Sequence, residues 1–245
     1  MAIKQILMRT EMVRAILDGR KTCTRRIVKS TPSFFEVNEK PVYLYDTEPS
    51  MGKIYPPCQP GDILYVRETW GISNMDDESK MAYIVYRASE EQENEGCREV
   101  HLPDEKFEKM YESMVESEPE WRPSIHMPKE AARIWLKVTD VRVERLQDMT
   151  DDDAEAEGMP DSFDYPVDKA YCPLCKGEGI IGTVDVHSLG HMDVDCPYCD
   201  SYRKRFENLW NSINQKCLDC YGWDANPWVW VIEFERCEKP KEVEE

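Results

Sequence analysis

A chain of 245 residues, 41% hydrophobic and 10% aromatic, has enough length and apolar content to bury a sizeable core, which excludes a disordered protein. Its formal net charge of −18 excludes tight nonspecific binding to duplex DNA, because that binding comes largely from phosphate neutralisation. No apolar run approaches bilayer length and the opening Met-Ala-Ile-Lys-Gln-Ile-Leu lacks a signal-peptide core, so we expect a cytoplasmic protein without membrane contact. In that compartment cysteines are expected as thiols and metal ligands rather than disulfides.

The first predicted element is a short amphipathic helix. Met8, Met12, Ile16 and Leu17 recur at helical spacing, Thr10 is the expected N-cap, and Glu11 suits the first turn. Gly19 is the expected stop, since glycine adopts a left-handed backbone without strain. Beyond it Arg20, Lys21, Thr22, Thr24, Arg25 and Arg26 crowd one connection that leads into an extended run, against the chain's overall acidity. Such a segment suits an anionic or strongly polar ligand. A Pro-rich connection follows, with a short strand expected at Val42–Tyr45.

Pro60-Gly61-Asp62 marks a turn into the strand Ile63–Arg67, with Ala82–Arg87 as its expected hairpin partner. The stretch 89–120 is strongly acidic and has few apolar anchors, so it reads as an exposed insertion. Within it, 104–115 suits a helix with Phe107, Met110, Tyr111 and Met114 on one face. The region 132–145 is the most strand-like, as one bent strand or two. Thr150 then caps an acidic helical turn that includes Glu155 and Glu157. Phe206, Leu209, Trp210 and Ile213 define another helix, and Trp228–Phe234 a final strand whose tryptophans read as core.

Between these last elements the cysteines fall in a pattern. Cys172-Pro-Leu-Cys175 and Cys196-Pro-Tyr-Cys199 are separated by twenty residues, the spacing of two knuckles converging on one tetrahedral ion. Two residues between thiols let both sulfurs of a tight turn face the same metal. A structural Zn ion is expected, because four thiolates leave no open position for water and favour zinc among divalent metals. His187 with His191, or Cys217 with Cys220, are alternative contributors to such a site.

The run Gly19, Lys21, Thr24, Arg25-Arg26, followed by Gln59-Pro60-Gly61-Asp62, Arg67-Glu68-Thr69-Trp70, Ser124-Ile125-His126-Met127-Pro128 and the closing Asn226-Pro227-Trp228, resembles the signature of the ASCH domain family. This is a PUA-like family of small β-barrels related to RNA-binding domains, and the combination of motifs is most like that of members from phages and prophages. The resemblance covers about half the chain. It implies an α+β, mainly β fold: a barrel over 1–159 and 206–237 with flanking helices, the acidic insertion 89–120, a zinc ribbon-like insertion over 160–205 (extending to 223 if the later cysteines join it), and a charged tail at 238–245.

The resemblance also implies chemistry. In members that hydrolyse the amide of acetylated cytidine, a lysine, a threonine and a glutamate form the site, which carries over to Lys21, Thr24 and Glu157, with Glu155 as the neighbouring alternative. A lysine whose proton affinity is lowered by nearby cations can activate a threonine hydroxyl, and a glutamate can return the proton to the leaving amine. Arg20, Thr22, Arg25, Arg26, Glu68, Trp70 and His126 are the expected substrate contacts. The expected partner is a nucleoside, modified base or RNA. Two alternatives stand beside hydrolysis: a non-catalytic RNA-binding module, and an accessory protein whose acidic surface engages a host protein.

Overall fold

Strands dominate because β-branched and aromatic residues recur in short alternating runs, too closely spaced by turn residues for long helices. The computed structural model describes residues 1–29, 35–46, 52–89, 97–115, 121–160, 175, 180–184, 191–196 and 201–240. In chain order its strands and helices are Ile3–Leu7 (β1), Thr10–Leu17 (α1), Cys23–Ile27 (β2), Phe35–Glu39 (β3), Val42–Asp46 (β4), Ile63–Arg67 (β5), Trp70–Asp76 (β6), Met81–Tyr86 (β7), Cys97–His101 (β8), Asp104–Val115 (α2), Trp135–Arg145 (β9), Asp151–Ala156 (α3), Ile180–Val184 (β10), His191–Asp195 (β11), Tyr202–Ile213 (α4), Leu218–Tyr221 (α5) and Trp228–Cys237 (β12). The fold is α+β and mainly β. Among the described residues no helix is long and apolar enough to cross a membrane.

The largest sheet has the strand order β1-β5-β9-β12-β2. It is mixed: β1 runs parallel to β5, whereas β5 and β9, and β12 and β2, are antiparallel. No described pairing joins β1 to β2, so the sheet remains open where a closed barrel was expected. Three smaller sheets are β6-β7-β8 and the hairpins β3-β4 and β10-β11.

The chain divides into two compact units, Met1–Asp18 with Pro60–Thr139 and Phe234–Glu245, and Gly19–Gln59 with Asp140–Glu233. The first unit is built on β6, β7 and β8. Trp70, Ile72, Ile84, Tyr86, Val100, Leu102 and Phe107 share its core. Three expectations are corrected here. The partner of β7 is β6, not β5, because β5 is taken up on both sides by β1 and β9. The acidic stretch after Ser89 is not wholly an exposed insertion: Cys97–His101 completes the small sheet, and α2 buries Phe107. Helix α1 has Arg9 at its N-cap with no side-chain hydrogen bond, so Thr10 is its first helical residue rather than its cap. Gly19 takes φ +80° as its position demands.

The second unit packs Val141, Leu146, Phe206, Leu209, Trp210, Val229, Trp230 and Val231 out of solvent. Strand β9 is one continuous element of 11 residues. Helix α4 starts four residues before Phe206, where Ser201 accepts a hydrogen bond from the Lys204 amide at 3.2 Å, and its last apolar residue, Ile213, stays exposed. Cys217 and Cys220 are joined as a disulfide, with Cα atoms 5.3 Å apart. That corrects the expectation of thiols for this pair and engages the two sulfurs with each other.

Candidate functional site

Lys21 leaves the α1–β2 connection two residues after Gly19, and Glu157 closes α3. Two local devices fix Glu157. The Thr150 hydroxyl accepts from the Asp153 amide at 3.1 Å while the Asp153 carboxylate accepts from the Thr150 amide at 3.0 Å, a reciprocal cap that starts the helix at a defined residue. At the other end, Lys21 and Glu157 form an antiparallel bridge, and the Thr22 amide donates to Ala156 O at 2.8 Å. The backbone therefore sets the distance between the two side chains.

The Lys21 ammonium donates to Glu157 Oε2 at 2.5 Å and to the Glu157 carbonyl at 2.9 Å. Their side chains are 0% and 2% exposed. On the other carboxylate oxygen, Arg25 Nη1 lies 3.5 Å from Oε1. Arg25 is held in turn by Glu144 at 2.8 Å and Asp153 at 3.4 Å through Nη2. Arg142 continues the network, with contacts to Glu144 at 3.4 Å, to Asp153 at 3.5 Å and to Glu233. Alternating signs make this a chain of paired charges, which is the condition under which such groups tolerate burial.

Burial lowers the proton affinity of Arg25, but Glu157, Cys23 and Glu144 outweigh it and hold the guanidinium above its ordinary value. Burial pushes Arg26 down, with Glu157 and Cys58 opposing. Burial also favours the protonated form of Asp153, yet its hydrogen bonds from Thr150 and its contact with Arg25 leave it below the usual carboxylate value. The Cys23 thiol is pushed up to about 12 by burial and by the Glu157 charge, so it is a protonated, non-nucleophilic neighbour.

The expected catalytic residues are thus partly brought together. Lys21 and Glu157 meet. Thr24 is buried one residue from both Cys23 and Arg25 on β2, which puts its side chain on the opposite face of the strand, and its hydroxyl makes no hydrogen bond to Lys21 or Glu157. Glu155 is exposed. Of the expected substrate contacts, Arg25 is committed to three carboxylates, Arg20 donates to Gly158 O at 2.7 Å, Thr22 is exposed and Arg26 is half-buried.

Glu68, Trp70 and His126 belong to the first unit. Glu68 is buried in a two-pronged pair with Arg133, Nε to Oε1 at 2.9 Å and Nη2 to Oε2 at 3.0 Å. Arg133 also donates to Ser89 Oγ at 2.8 Å and lies 4.1 Å from the centre of the Tyr86 ring. Burial raises the proton affinity of Glu68, and Arg133 offsets this only in part. Trp70 is buried in the core with Arg122 5.5 Å over its ring, so no face is left for a base. His126 is exposed on a single 3-10 turn.

For the expected zinc site, Cys175 and Cys196 are both buried in one cluster with Ile181 packed against them. Cys196 directly follows β11, and the β10–β11 hairpin pairs Ile180 with Asp195 beside it. Two buried sulfurs at the base of a two-stranded hairpin fit a thiolate metal site. Cys172, Cys199 and His187 lie outside the described residues, and among the described residues no group of three or more metal-ligating side chains is assembled.

Sequence reasoning missed Arg142, Glu144, Asp153 and Glu233 as members of the charged network, and the protonated Cys23 beside it. Arg142 and Glu144 carried a signal, since they share one face of β9. Searches against protein-family models, curated proteins and solved structures find no match for this chain.

Proposed function

We propose that this is an ASCH/PUA-like protein that recognises a nucleoside, modified base or RNA end at the Lys21–Glu157 pair and hydrolyses the amide of an acylated exocyclic amine on a cytidine-type substrate. The observation that supports it is the 2.5 Å contact between Lys21 Nζ and Glu157 Oε2, made by side chains 136 positions apart. A carboxylate beside an ammonium is equipped for acyl transfer: Glu157 takes a proton from water, and the resulting hydroxide adds to the acyl carbon. Lys21 donates to the oxyanion, the C–N bond breaks, and the proton on Glu157 passes to the departing amine. Thr24's place on the opposite face of β2 favours water over the threonine hydroxyl as nucleophile. Arg20, Thr22 and Arg26 are the proposed contacts to the sugar or phosphate, whereas Arg25 orients Glu157.

A specific observation favours a second reading, binding without turnover: the near-complete burial of Lys21 and Glu157 is what a purely architectural ion pair would also show. The two separate in one experiment. Purified protein is assayed chromatographically against acylated cytidines beside Lys21→Ala and Glu157→Gln. Release of the free amine by wild type and its loss in both folded variants supports hydrolysis. No turnover by the folded wild type, with salt-sensitive RNA binding in its place, supports the binding module.

We also propose one structural zinc held by Cys172, Cys175, Cys196 and Cys199. Cys175 and Cys196, buried together, are the support.

A further inference from the structure

The β3–β4 hairpin carries an aromatic face that the proposed chemistry does not use. Val42 and Leu44 point inward and are buried, and Leu44 exchanges backbone hydrogen bonds of 2.8 and 2.9 Å with Ile54, adding a third short segment beside β4. Gln59 grips β4 from the side, accepting from the Val42 amide at 2.7 Å and donating to the Val42 carbonyl at 2.6 Å. The backbone of the face is therefore fixed.

Alternation then sends Tyr43 and Tyr45 outward, together with Lys53 and Tyr55 from the added segment. Tyr43 is the centre: its ring lies 6.0 Å from Tyr45 and 5.3 Å from Tyr55, tilted by 57° and 49°. The rings are tilted against one another rather than stacked flat, a favoured arrangement of aromatic quadrupoles. Glu36, opposite Tyr45 in the hairpin register, accepts a hydrogen bond from the Tyr45 hydroxyl and adds a carboxylate to the same face. Over the Tyr43 ring, at 4.6 Å from its centre, sits the Lys53 ammonium.

A cation is thus already seated on the central ring, Tyr43, supplied by the chain itself. We propose that this face is a binding site for the lysine side chain of a basic polypeptide, which takes the position that Lys53 occupies here. Ring quadrupoles and the Glu36 carboxylate attract an ammonium. The chain's net charge of −18 adds long-range attraction for a basic partner and repels the phosphates that a base-stacking RNA would bring. Tyr55, 54% exposed, is the ring most open to an incoming side chain.

The test uses the full chain and a lysine-only oligopeptide, with its fully acetylated form and a single-stranded oligouridylate as comparisons, titrated by calorimetry. Lys53→Ala removes the internal occupant and is expected to tighten peptide binding by about two- to five-fold, and Tyr55→Ala to weaken it by about the same factor. The acetylated peptide is expected not to bind. Circular dichroism confirms that both variants are folded, and the exposure of both side chains makes that the expected result. Equal affinity for wild type and both variants would mean attraction by the acidic surface at large and overturns the proposal. Oligouridylate binding that Tyr55→Ala weakens also overturns it, in favour of a stacking platform for RNA.

Discussion

Both units bury a glutamate against an arginine, but they do it differently. Glu68 meets Arg133 through two parallel hydrogen bonds, with Ser89 taking a third donor and the Tyr86 ring covering the guanidinium. Both carboxylate oxygens are satisfied by one rigid partner, which is how a structural pair is built. Glu157 has its oxygens divided between Lys21 and Arg25, and the Arg25 Nε is buried with no partner. A carboxylate held by a single-point ammonium on one side can exchange that contact for a water or a substrate oxygen; one locked in a planar fork cannot do so without losing the pair. The Lys21 cluster is for this reason the place to look for chemistry, and the Glu68 cluster the place to look for stability.

Substitutions break this comparison in order of size. Under the proposed hydrolysis, Glu157→Gln keeps the shape of the side chain and removes the base, so turnover of an acylated cytidine should fall by at least about a hundred-fold in the initial rate. Glu68→Gln should leave that rate unchanged. Arg133→Ala, which strands a buried carboxylate, should cost about 3–5 kcal/mol in urea unfolding. Rescue by Arg133→Lys should be incomplete, since an ammonium cannot reproduce the fork.

Chelation supplies the third contrast. Wild type should contain one zinc per chain by elemental analysis, and Cys175→Ser or a strong chelator should lower that content and raise amide exchange across 180–196 without affecting the Glu68 cluster. Next is pH, where the two units should respond with opposite sign. Glu68 has its folded value raised above 4.5, so its contribution is fully present below the unfolded value and is lost as pH rises through the folded one. Asp153 is lowered from 3.8, so its contribution is present above that value and is lost as pH falls through the folded one. Acidifying from neutrality toward 4.5 should therefore protect amides around Glu68, and further acidification below 3.8 should expose those around α3, as hydrogen exchange would report. The smallest effect is expected at Gly19→Ala. With no atom within 4 Å of the added methyl, only the φ of +80° is penalised, by about 1 kcal/mol in thermal unfolding.

The parts of the molecule legible in its sequence were those that local chemistry decides. The Thr150 cap, the Gly19 stop, the Phe107, Met110 and Tyr111 side of α2 and the Phe206, Leu209 and Trp210 side of α4 each follow from residues a few positions apart and stand in the structure, whereas Ile213 at the end of α4 is exposed. Strand partnership is not local: Ile63–Arg67 and Ala82–Arg87 look like neighbours in sequence, and only the competing edges offered by β1 and β9 decide otherwise. Strand β1 itself is only five residues long, with Ile3 and Leu7 exposed, and leaves too weak a burial pattern to read. At the site, the Lys21–Glu157 pairing came from the resemblance of two distant motifs, since no spacing rule links positions 136 apart. The surrounding carboxylates were invisible because an acidic chain offers many, and only the fold brings Glu144 and Asp153, from among them, against the Arg25 guanidinium.

The tie between the Lys21 loop and the end of α3 is made by main-chain atoms, the Lys21–Glu157 bridge and the Thr22 amide on Ala156 O. A joint that does not depend on the identity of the side chains it aligns can be re-equipped. Exchanging both residues together, for a pair of opposite order or for two metal-binding imidazoles, would inherit the same alignment. The scaffold separates the task of bringing two distant positions together from the choice of what they do on arrival.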